Sequence, residues 1–331
     1  MDFGQESRRL SHLRAPYIRG PLPGGNGNRS RSLAEKRFTP TVLERFSKEG
    51  RGTGTYADYT PWHRVSRGDP SSIGRSHLIV WRDRQRELLS DQEWSGLNFA
   101  GLVPNLVDLT EQFPLSQDSS SHELSRWHVG FETNQFPGTR EIAEMLGIRH
   151  PQLSSGDQSR HWTSTTDLLL VLQSERGLLE LLAISCKPSE IISTRSKELL
   201  MLEKTYWAQR GVSWLLITPN QYDANVSLTL RRTSPWGYAD PASQAEIDIA
   251  CQVVRSEPWL PFSDVIQSIT SHLGGGNHIY SAQRALWQAV WRGFLPIDLR
   301  RSWRPHHPLA SVSREIFSSF NPILARRSAC I

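Results

Sequence analysis

DLLLVLQSERGLLELLAISCKP, residues Asp167 to Pro188, consists of two apolar runs joined by a short polar segment. The polar segment is Ser174 to Gly177, and the second run ends at Lys187, directly before the proline. Two apolar runs of strand length that flank a glycine-containing turn are typical of a β-hairpin. We therefore predict an antiparallel hairpin whose second strand ends at Lys187.

This hairpin predicts a contact between an acid and a base. The start of the first strand and the end of the second lie side by side in an antiparallel pair, so Asp167 and Lys187 should be neighbours. Side chains alternate along a strand, so Lys187 and Ser185 should face one way, and Cys186 and Ile184 should face the core. A carboxylate beside a lysine suits a metal-dependent nuclease, but it is also a common surface ion pair. The pattern alone leaves both interpretations open.

Strands and helices alternate on both sides of the hairpin, which is typical of an α/β domain. Ser90 is predicted to be a helix N-cap, because Glu93 follows it at the spacing of a capping box. The other predicted elements are a helix at 39–48, a strand at 75–81, a polar turn at 82–86, a strand at 106–115, an inserted loop at 116–137, a short helix within 139–151, a helix at 194–211 and a strand at 212–218.

The chain changes character at both ends. Residues 1–38 are rich in arginine, glycine, proline and serine and show no apolar period, which predicts a basic flexible arm. After about residue 240, three amphipathic helices and then a short strand are predicted, in the order of a small helical or winged-helix module. We predict an arm at 1–38, an α/β domain at 39–222, and a helical C-terminal domain at 223–331 with a basic tail.

The composition restricts the class of protein. The formal net charge of +5 is a mild basic excess that is compatible with a nucleic-acid partner. The three cysteines are scattered and form no CxxC pair, which argues against a disulfide framework or a structural zinc site and favours a reducing compartment. No run of 18 apolar residues and no signal peptide are evident. We expect a bacterial cytoplasmic protein with no membrane contact.

A series of sequence blocks resembles the TnsA endonucleases, which are cutting subunits of heteromeric DNA transposases. The resemblance extends over roughly residues 49–220, and the C-terminal third is similar only in size and helical character. It implies a restriction-endonuclease-like, PD-(D/E)XK α/β domain followed by a small helical or winged-helix-like domain. The blocks are, in chain order, EGRGTGTYADYTPW, SSIGRSH, LLSDQEW, LTEQFPL, IAEMLGIRHP, STTDLLL, AISCKP and LEKTYWAQRGVSWLLIT.

The resemblance also implies a site that binds Mg²⁺, with Mn²⁺ able to substitute. The matching motif positions give three predicted catalytic residues, Glu93, Asp167 and Lys187, of which the two carboxylates would hold the metal. The family usually has a glutamine or glutamate ligand two residues before the lysine, where this chain has Ser185. We predict Ser185 and the backbone carbonyl of Cys186 as additional metal ligands.

The function implied by the resemblance is hydrolysis of the 5′-end strands at transposon ends. A TnsB-type transposase subunit would cut and join the 3′ ends, and the C-terminal region would contact DNA and a TnsC-type ATPase regulator. Two alternatives remain. One is a catalytically weak assembly subunit that bridges the TnsB-type and TnsC-type partners, which the Ser185 departure supports. The other is a stand-alone restriction-type nuclease.

A helix follows the hairpin, and two of its charged residues lie close in sequence to the predicted site. Either Glu203 or Lys204 could face the site, but we predict that both lie on the solvated face of this helix, because charged residues on an amphipathic helix normally face solvent.

Overall fold

The strands and helices follow the order expected from the sequence, with several additions. The computed structural model describes residues 38–331, except 67–68, 70–74, 129, 132–133, 191–192, 277 and 302–303. The strands are β1 (His77–Trp81), β2 (Arg84–Leu88), β3 (Leu106–Pro114), β4 (Ser120–Ser121), β5 (Gln135–Phe136), β6 (Gln152–Ser155), β7 (Gln158–His161), β8 (Thr165–Gln173), β9 (Leu179–Cys186) and β10 (Ser213–Ile217). The helices are α1 (Pro40–Lys48), α2 (Asp91–Gly101), α3 (Thr139–Met145), α4 (Thr194–Gln209), α5 (Ala224–Gly237), α6 (Gln244–Ser256), α7 (Phe262–His272), α8 (Ile279–Trp291) and α9 (Arg314–Ser319).

The central sheet has four strands in the order β10-β9-β8-β3. The β8 and β9 strands form the predicted antiparallel hairpin, in which Leu168 lies opposite Ile184 and Leu172 lies opposite Glu180. The β10 strand pairs parallel with β9, and α4 makes the crossover between them, as a parallel connection requires. The mixed α/β architecture with a central sheet is therefore confirmed.

Both faces of the sheet are buried, which explains why the strands read as nearly continuous apolar runs. On one face, Leu168 and Ile184 belong to a hydrophobic cluster that also contains side chains of α2 and of the C-terminal helices. On the other face, Leu169 and Ala183 pack with apolar side chains of α4, including Trp207. The active-site candidates at the ends of β8 and β9 therefore lie between two packed layers.

The C-terminal helices share a core with the sheet. The larger hydrophobic cluster runs from Leu88 to Ile323, and the described residues belong to one compact unit by their contacts. The proposed division at residue 222 remains a prediction. The predicted short strand after α8 is wrong, because this segment forms only isolated bridges, Ile297 with Ser311 and Pro308 with Pro261.

The predicted polar turn at 82–86 is also wrong in extent. The turn is confined to Arg82 and Asp83, both in the left-handed region with φ of 52° and 58°, and the strand β2 begins at Arg84. The sequence did not predict β2 because its two arginines interrupt the apolar alternation by which a strand is recognised. Arg84 makes two hydrogen bonds to the fully buried Glu111 of β3, at 2.7 and 2.6 Å.

Two further features concern the periphery. The predicted basic arm, residues 1–38, lies outside the described residues except for Phe38. Within the described ranges, none of the helices combines the length and the apolar character needed to cross a membrane.

Candidate active site

The predicted contact between Asp167 and Lys187 is present at the end of the hairpin. The Lys187 ammonium donates to Asp167 Oδ2 at 2.9 Å, and the backbone N–H of Cys186 donates to the same oxygen at 2.7 Å. Asp167 is 8% exposed, so this carboxylate is largely removed from water. The hairpin register alone brings these groups together, as the sequence predicts.

Lys187 retains its proton in this environment. Burial by itself lowers the pKa of the ammonium, but the negative charges of Asp167 and Glu203 raise it by more, so the pKa lies above its ordinary value. A protonated lysine donates hydrogen bonds and carries positive charge, but it cannot accept a proton. As placed here, Lys187 can orient a water molecule or offset phosphate charge rather than act as a base.

Glu93 lies in the first turn of α2, where the predicted cap is confirmed. The Ser90 side chain accepts from the Glu93 N–H at 3.1 Å. The Glu93 carboxylate reaches back to the N–H of Leu89 at 2.8 Å and to the Ser90 hydroxyl at 3.1 Å. These bonds hold the side chain against the helix start, where the helix dipole favours negative charge.

The charge on Glu93 is opposed by its surroundings. Burial, followed by the negative charge of Asp167, raises the pKa of Glu93 to about 8. The two predicted metal-binding carboxylates therefore interact strongly although they come from different elements. A divalent cation between them would relieve this repulsion.

Gly96 allows α2 to approach the end of β9. A Cβ atom at this position would lie 2.6 Å from Cys186 Sγ and 3.0 Å from Leu168 Cδ1. Contacts as short as the one to sulfur do not occur in real proteins, so a larger residue at this position would require the Cys186 side chain, the Leu168 side chain or the helix to shift. Since Gly96 is three residues after Glu93 on the same helix, the glycine sets how closely Glu93 approaches the hairpin.

Ser185 does not present a free hydroxyl. Its side chain is fully buried, donates to Glu203 Oε1 at 2.7 Å and accepts from Trp214 Nε1 at 3.1 Å. The hydroxyl is thus engaged on the face of the sheet that α4 covers. A role for Ser185 in metal binding remains a prediction, as does a role for the backbone carbonyl of Cys186.

The expectation that Glu203 lies on a solvated helix face is wrong, whereas Lys204 is exposed as predicted. Glu203 is 6% exposed, and its Oε1 accepts from the hydroxyls of Ser185 and Thr166. Burial and the negative charge of Asp167 raise the pKa of Glu203 to about 7. A sequence signal existed, because position 203 is three residues before Tyr206 and therefore on the apolar stripe of α4.

Gln112 was also missed by the sequence analysis. Its Nε2 donates to Glu93 Oε2 at 2.9 Å, and its backbone lies in the left-handed region with φ of 52°. This conformation is uncommon for residues other than glycine. The apolar pattern that predicts strand β3 therefore does not reveal it. Gln112 ties β3 to the first turn of α2 and fixes the orientation of the Glu93 carboxylate.

The donor atoms suit a hard divalent cation. Mg²⁺ prefers oxygen ligands, and the Glu93 and Asp167 carboxylates supply oxygen atoms whose charges act on each other. In the described part of the chain, no hydrogen bond reaches Asp167 Oδ1 or Glu203 Oε2. The described residues contain no ready cluster of three or more His, Cys, Asp or Glu side chains that could hold a metal.

Comparison with known proteins bears on this site. The family model described as TnsA-like endonuclease N terminal matches residues 105–219, which include Asp167 and Lys187. The chain is 30% identical over 223 residues to the transposon Tn7 transposition protein TnsA of Escherichia coli, an alignment that covers 66% of this chain and 70% of that protein. The chain belongs to the TnsA family. The resemblance found in the sequence blocks, and the endonuclease class that it implies, are therefore confirmed.

Membership in the TnsA family gives the site its context. The family match begins at residue 105 and so does not include Glu93, which is placed beside the TnsA-like segment by α2 packing. The residue roles rest on the geometry above rather than on the family match.

Proposed function

We propose that this protein is a Mg²⁺-dependent endonuclease subunit of a cut-and-paste transposase, which hydrolyses the 5′-end strands at transposon ends. The observation that supports the proposal is the Asp167–Lys187 pair, held at 2.9 Å, in a chain of the TnsA family whose helix α2, which carries Glu93, packs against β8 and β9. We include in the proposal a restriction-endonuclease-like catalytic domain followed by a helical or winged-helix-like domain.

Each residue has a distinct role in this proposal. Glu93 and Asp167 hold Mg²⁺, or Mn²⁺ in its place, and Gln112 keeps the Glu93 carboxylate in position. When bound, the ion polarises the scissile phosphate and lowers the pKa of the attacking water. The Lys187 ammonium orients that water and offsets the charge on the phosphate. The hydrogen bond from the Cys186 N–H holds the Asp167 carboxylate at the end of the hairpin.

The partners in this proposal are those of a heteromeric transposase. A TnsB-type subunit cuts and joins the 3′ ends, a TnsC-type ATPase regulates assembly, and transposon-end DNA is the substrate. The match to a transposition protein and the net charge of +5 support this assignment. We place the protein in the bacterial cytoplasm, where such DNA is accessible.

The decisive experiment is strand-specific cleavage of a transposon end that is labelled separately at its 5′ and 3′ strands. The protein is assayed with its cognate TnsB-type and TnsC-type partners and Mg²⁺, and Asp167→Asn is compared with Asp157→Asn, a matched change at an exposed aspartate. We expect 5′-strand product with the native protein and with Asp157→Asn, and none with Asp167→Asn.

The opposite result would favour the alternative function. If the 3′ ends are cut and joined while the native protein leaves the 5′ strand intact, the protein is an assembly subunit. Cleavage of naked DNA by this protein alone, at the same rate with and without partners, would instead support a stand-alone nuclease.

A further inference from the structure

A cavity of about 820 Å³ lies among the C-terminal elements, and none of its described lining residues belongs to the candidate active site. Its walls come from one residue of α5, one of α8, the segment before α7 and the long loop between α8 and α9. The volume falls in the range of about 300–1,000 Å³ that is usual for small-molecule and cofactor sites.

Hydrogen bonds fix the loop that forms most of the cavity wall. The Thr229 hydroxyl of α5 donates to the Leu299 carbonyl at 2.9 Å, and the Asp298 N–H donates to the Ala310 carbonyl at 2.7 Å. The N–H of Phe262, the first residue of α7, donates to the carbonyl of His307 at 2.9 Å. The cavity is therefore preformed, and a ligand would bind without first ordering the loop.

The charges on the cavity wall are unbalanced. Three arginines, Arg300, Arg301 and Arg304, face a single carboxylate, that of Asp298. Arg300 is engaged by this carboxylate at 2.8 and 2.9 Å. Among the described residues, none accepts a hydrogen bond from the guanidinium group of Arg301 or Arg304, and both residues are exposed. Guanidinium groups match the geometry of phosphate, so these two arginines suit a phosphate-bearing ligand.

The cavity also has an apolar side. Ile297, Leu299 and Leu309 line it with buried side chains. Trp259 directly follows the lining residue Pro258, and its side chain is 69% exposed. An exposed aromatic ring beside a positively charged groove is the combination with which proteins hold unpaired bases, because a base stacks on the ring while the cations contact its phosphates.

We propose that this cavity binds an unpaired nucleotide of single-stranded DNA, with Arg301 and Arg304 on the phosphates and Trp259 stacked on the base. A base in a duplex is held between its neighbours and enters a cavity only when it leaves the stack. An acidic peptide would pair with the arginines but would give the exposed tryptophan ring no role. The inference goes beyond the proposed cleavage and does not depend on the metal site.

The test is the binding of a fluorescein-labelled deoxythymidine strand of about ten nucleotides, a usual site size, to the full chain, measured by fluorescence anisotropy. A chelator replaces Mg²⁺, so that cleavage does not occur. The double variant Arg301→Gln with Arg304→Gln is compared with Arg232→Gln with Arg314→Gln, an equal change of charge at exposed arginines that do not line the cavity.

We expect the first double variant to bind the strand at least about tenfold more weakly than the second, since one hydrogen bond to a charged group contributes about that much. Its affinity should also depend less steeply on salt, because fewer phosphates are neutralised. Equal thermal unfolding temperatures of the two double variants would show that the loss is one of binding and not of folding.

The tryptophan is tested in the same assay. Trp259→Leu should weaken binding of the strand by at least about fivefold, the lower end for stacking of one base on an aromatic ring. Tyr280→Leu, a change at another exposed aromatic residue, should bind as the native chain does. Equal binding by these two variants would contradict the stacking and, with it, the assignment to an unpaired base.

Three other results would overturn the inference and leave the proposed cleavage intact. The two double-arginine variants might bind the single strand equally, which would place binding elsewhere. A duplex of the same length might lose as much affinity as the single strand, which would make the arginines a duplex contact. Deoxythymidine monophosphate or an oligoglutamate peptide might bind as tightly as the strand and depend on the same arginines, which would assign the cavity to a free nucleotide or to a protein partner.

Discussion

The Lys187 ammonium lies 2.9 Å from Asp167 Oδ2, although the two residues are 20 positions apart in the chain. The hairpin of β8 and β9 creates this contact by bringing a strand start beside a strand end. The contact is one-third exposed on the lysine side, so a substrate can reach the ammonium while the aspartate stays shielded. The buried Asp167 carboxylate and the accessible Lys187 ammonium thus lie together where β8 begins and β9 ends.

Replacement of Lys187 should slow DNA cleavage strongly. Lys187→Met removes the cation that orients water and offsets phosphate charge, and we expect single-turnover 5′-strand cleavage to fall by about 100-fold or more. Lys204→Met, a matched change at the exposed lysine of α4, should cleave normally. Native rates for Lys187→Met would exclude a catalytic role for this ammonium.

Neutralising Glu93 should stabilise the metal-free protein at high pH. The pKa of Glu93 is raised to about 8 in the fold, so the folded state binds the extra proton and loses stability as pH rises from about 4.5 to about 8. Glu93→Gln should lack this contribution to the pH dependence and gain about 1–3 kcal/mol at pH 8, as removal of a strained active-site charge often does.

Chemical denaturation at pH 5 and pH 8 measures this effect, with the exposed Glu144→Gln as the control. A destabilised Glu93→Gln variant at pH 8 would show that the hydrogen bonds to this carboxylate outweigh the cost of its burial.

Metal affinity should depend on pH in the same range. The raised pKa of Glu93, about 8, means that a proton must leave before Glu93 can join Asp167 in binding a cation. We expect Mn²⁺ affinity to rise from pH 6 to pH 8 and to level off above. Calorimetry in buffers of different ionisation enthalpy should detect the released protons, and a flat profile would contradict the carboxylate assignments.

A double-mutant cycle can test the close contact between α2 and β9. Gly96→Ala places a methyl group against Cys186 Sγ and should cost about 1–3 kcal/mol, the usual penalty for overpacking a core. Cys186→Ala removes that sulfur, so the double variant should be more stable than the sum of the single effects predicts. Additive effects would mean that the helix moves away instead of meeting the sulfur.

Local signals predicted the hairpin, the start of α2 and the course of α4 correctly. Each depends on residues close in sequence: two apolar runs around Gly177, the Ser90–Glu93 cap, and the stripe that includes Leu202 and Tyr206. Such features are read from periodicity and capping chemistry without knowledge of distant partners.

Strand β2 shows where local signals fail. Arg84 is buried by its bonds to Glu111, and Arg86 by a bond to the Leu109 carbonyl, so charged residues stand where a strand pattern expects apolar ones. A buried arginine is tolerable only when such partners exist, and these partners lie more than 20 residues away. The pattern therefore predicted a turn.

The sequence by itself determined the pairing of Asp167 with Lys187, because hairpin register depends on a turn and two short apolar runs. Only the tertiary structure decided that Glu203 is buried against the hairpin and that the Ser185 hydroxyl is already engaged. Both facts depend on how α4 rotates and packs against β9, which is set by contacts between residues distant in the chain. Local sequence thus determines the Asp167–Lys187 contact, whereas the hydrogen-bond partners of Glu93 and Ser185 depend on how distant elements pack.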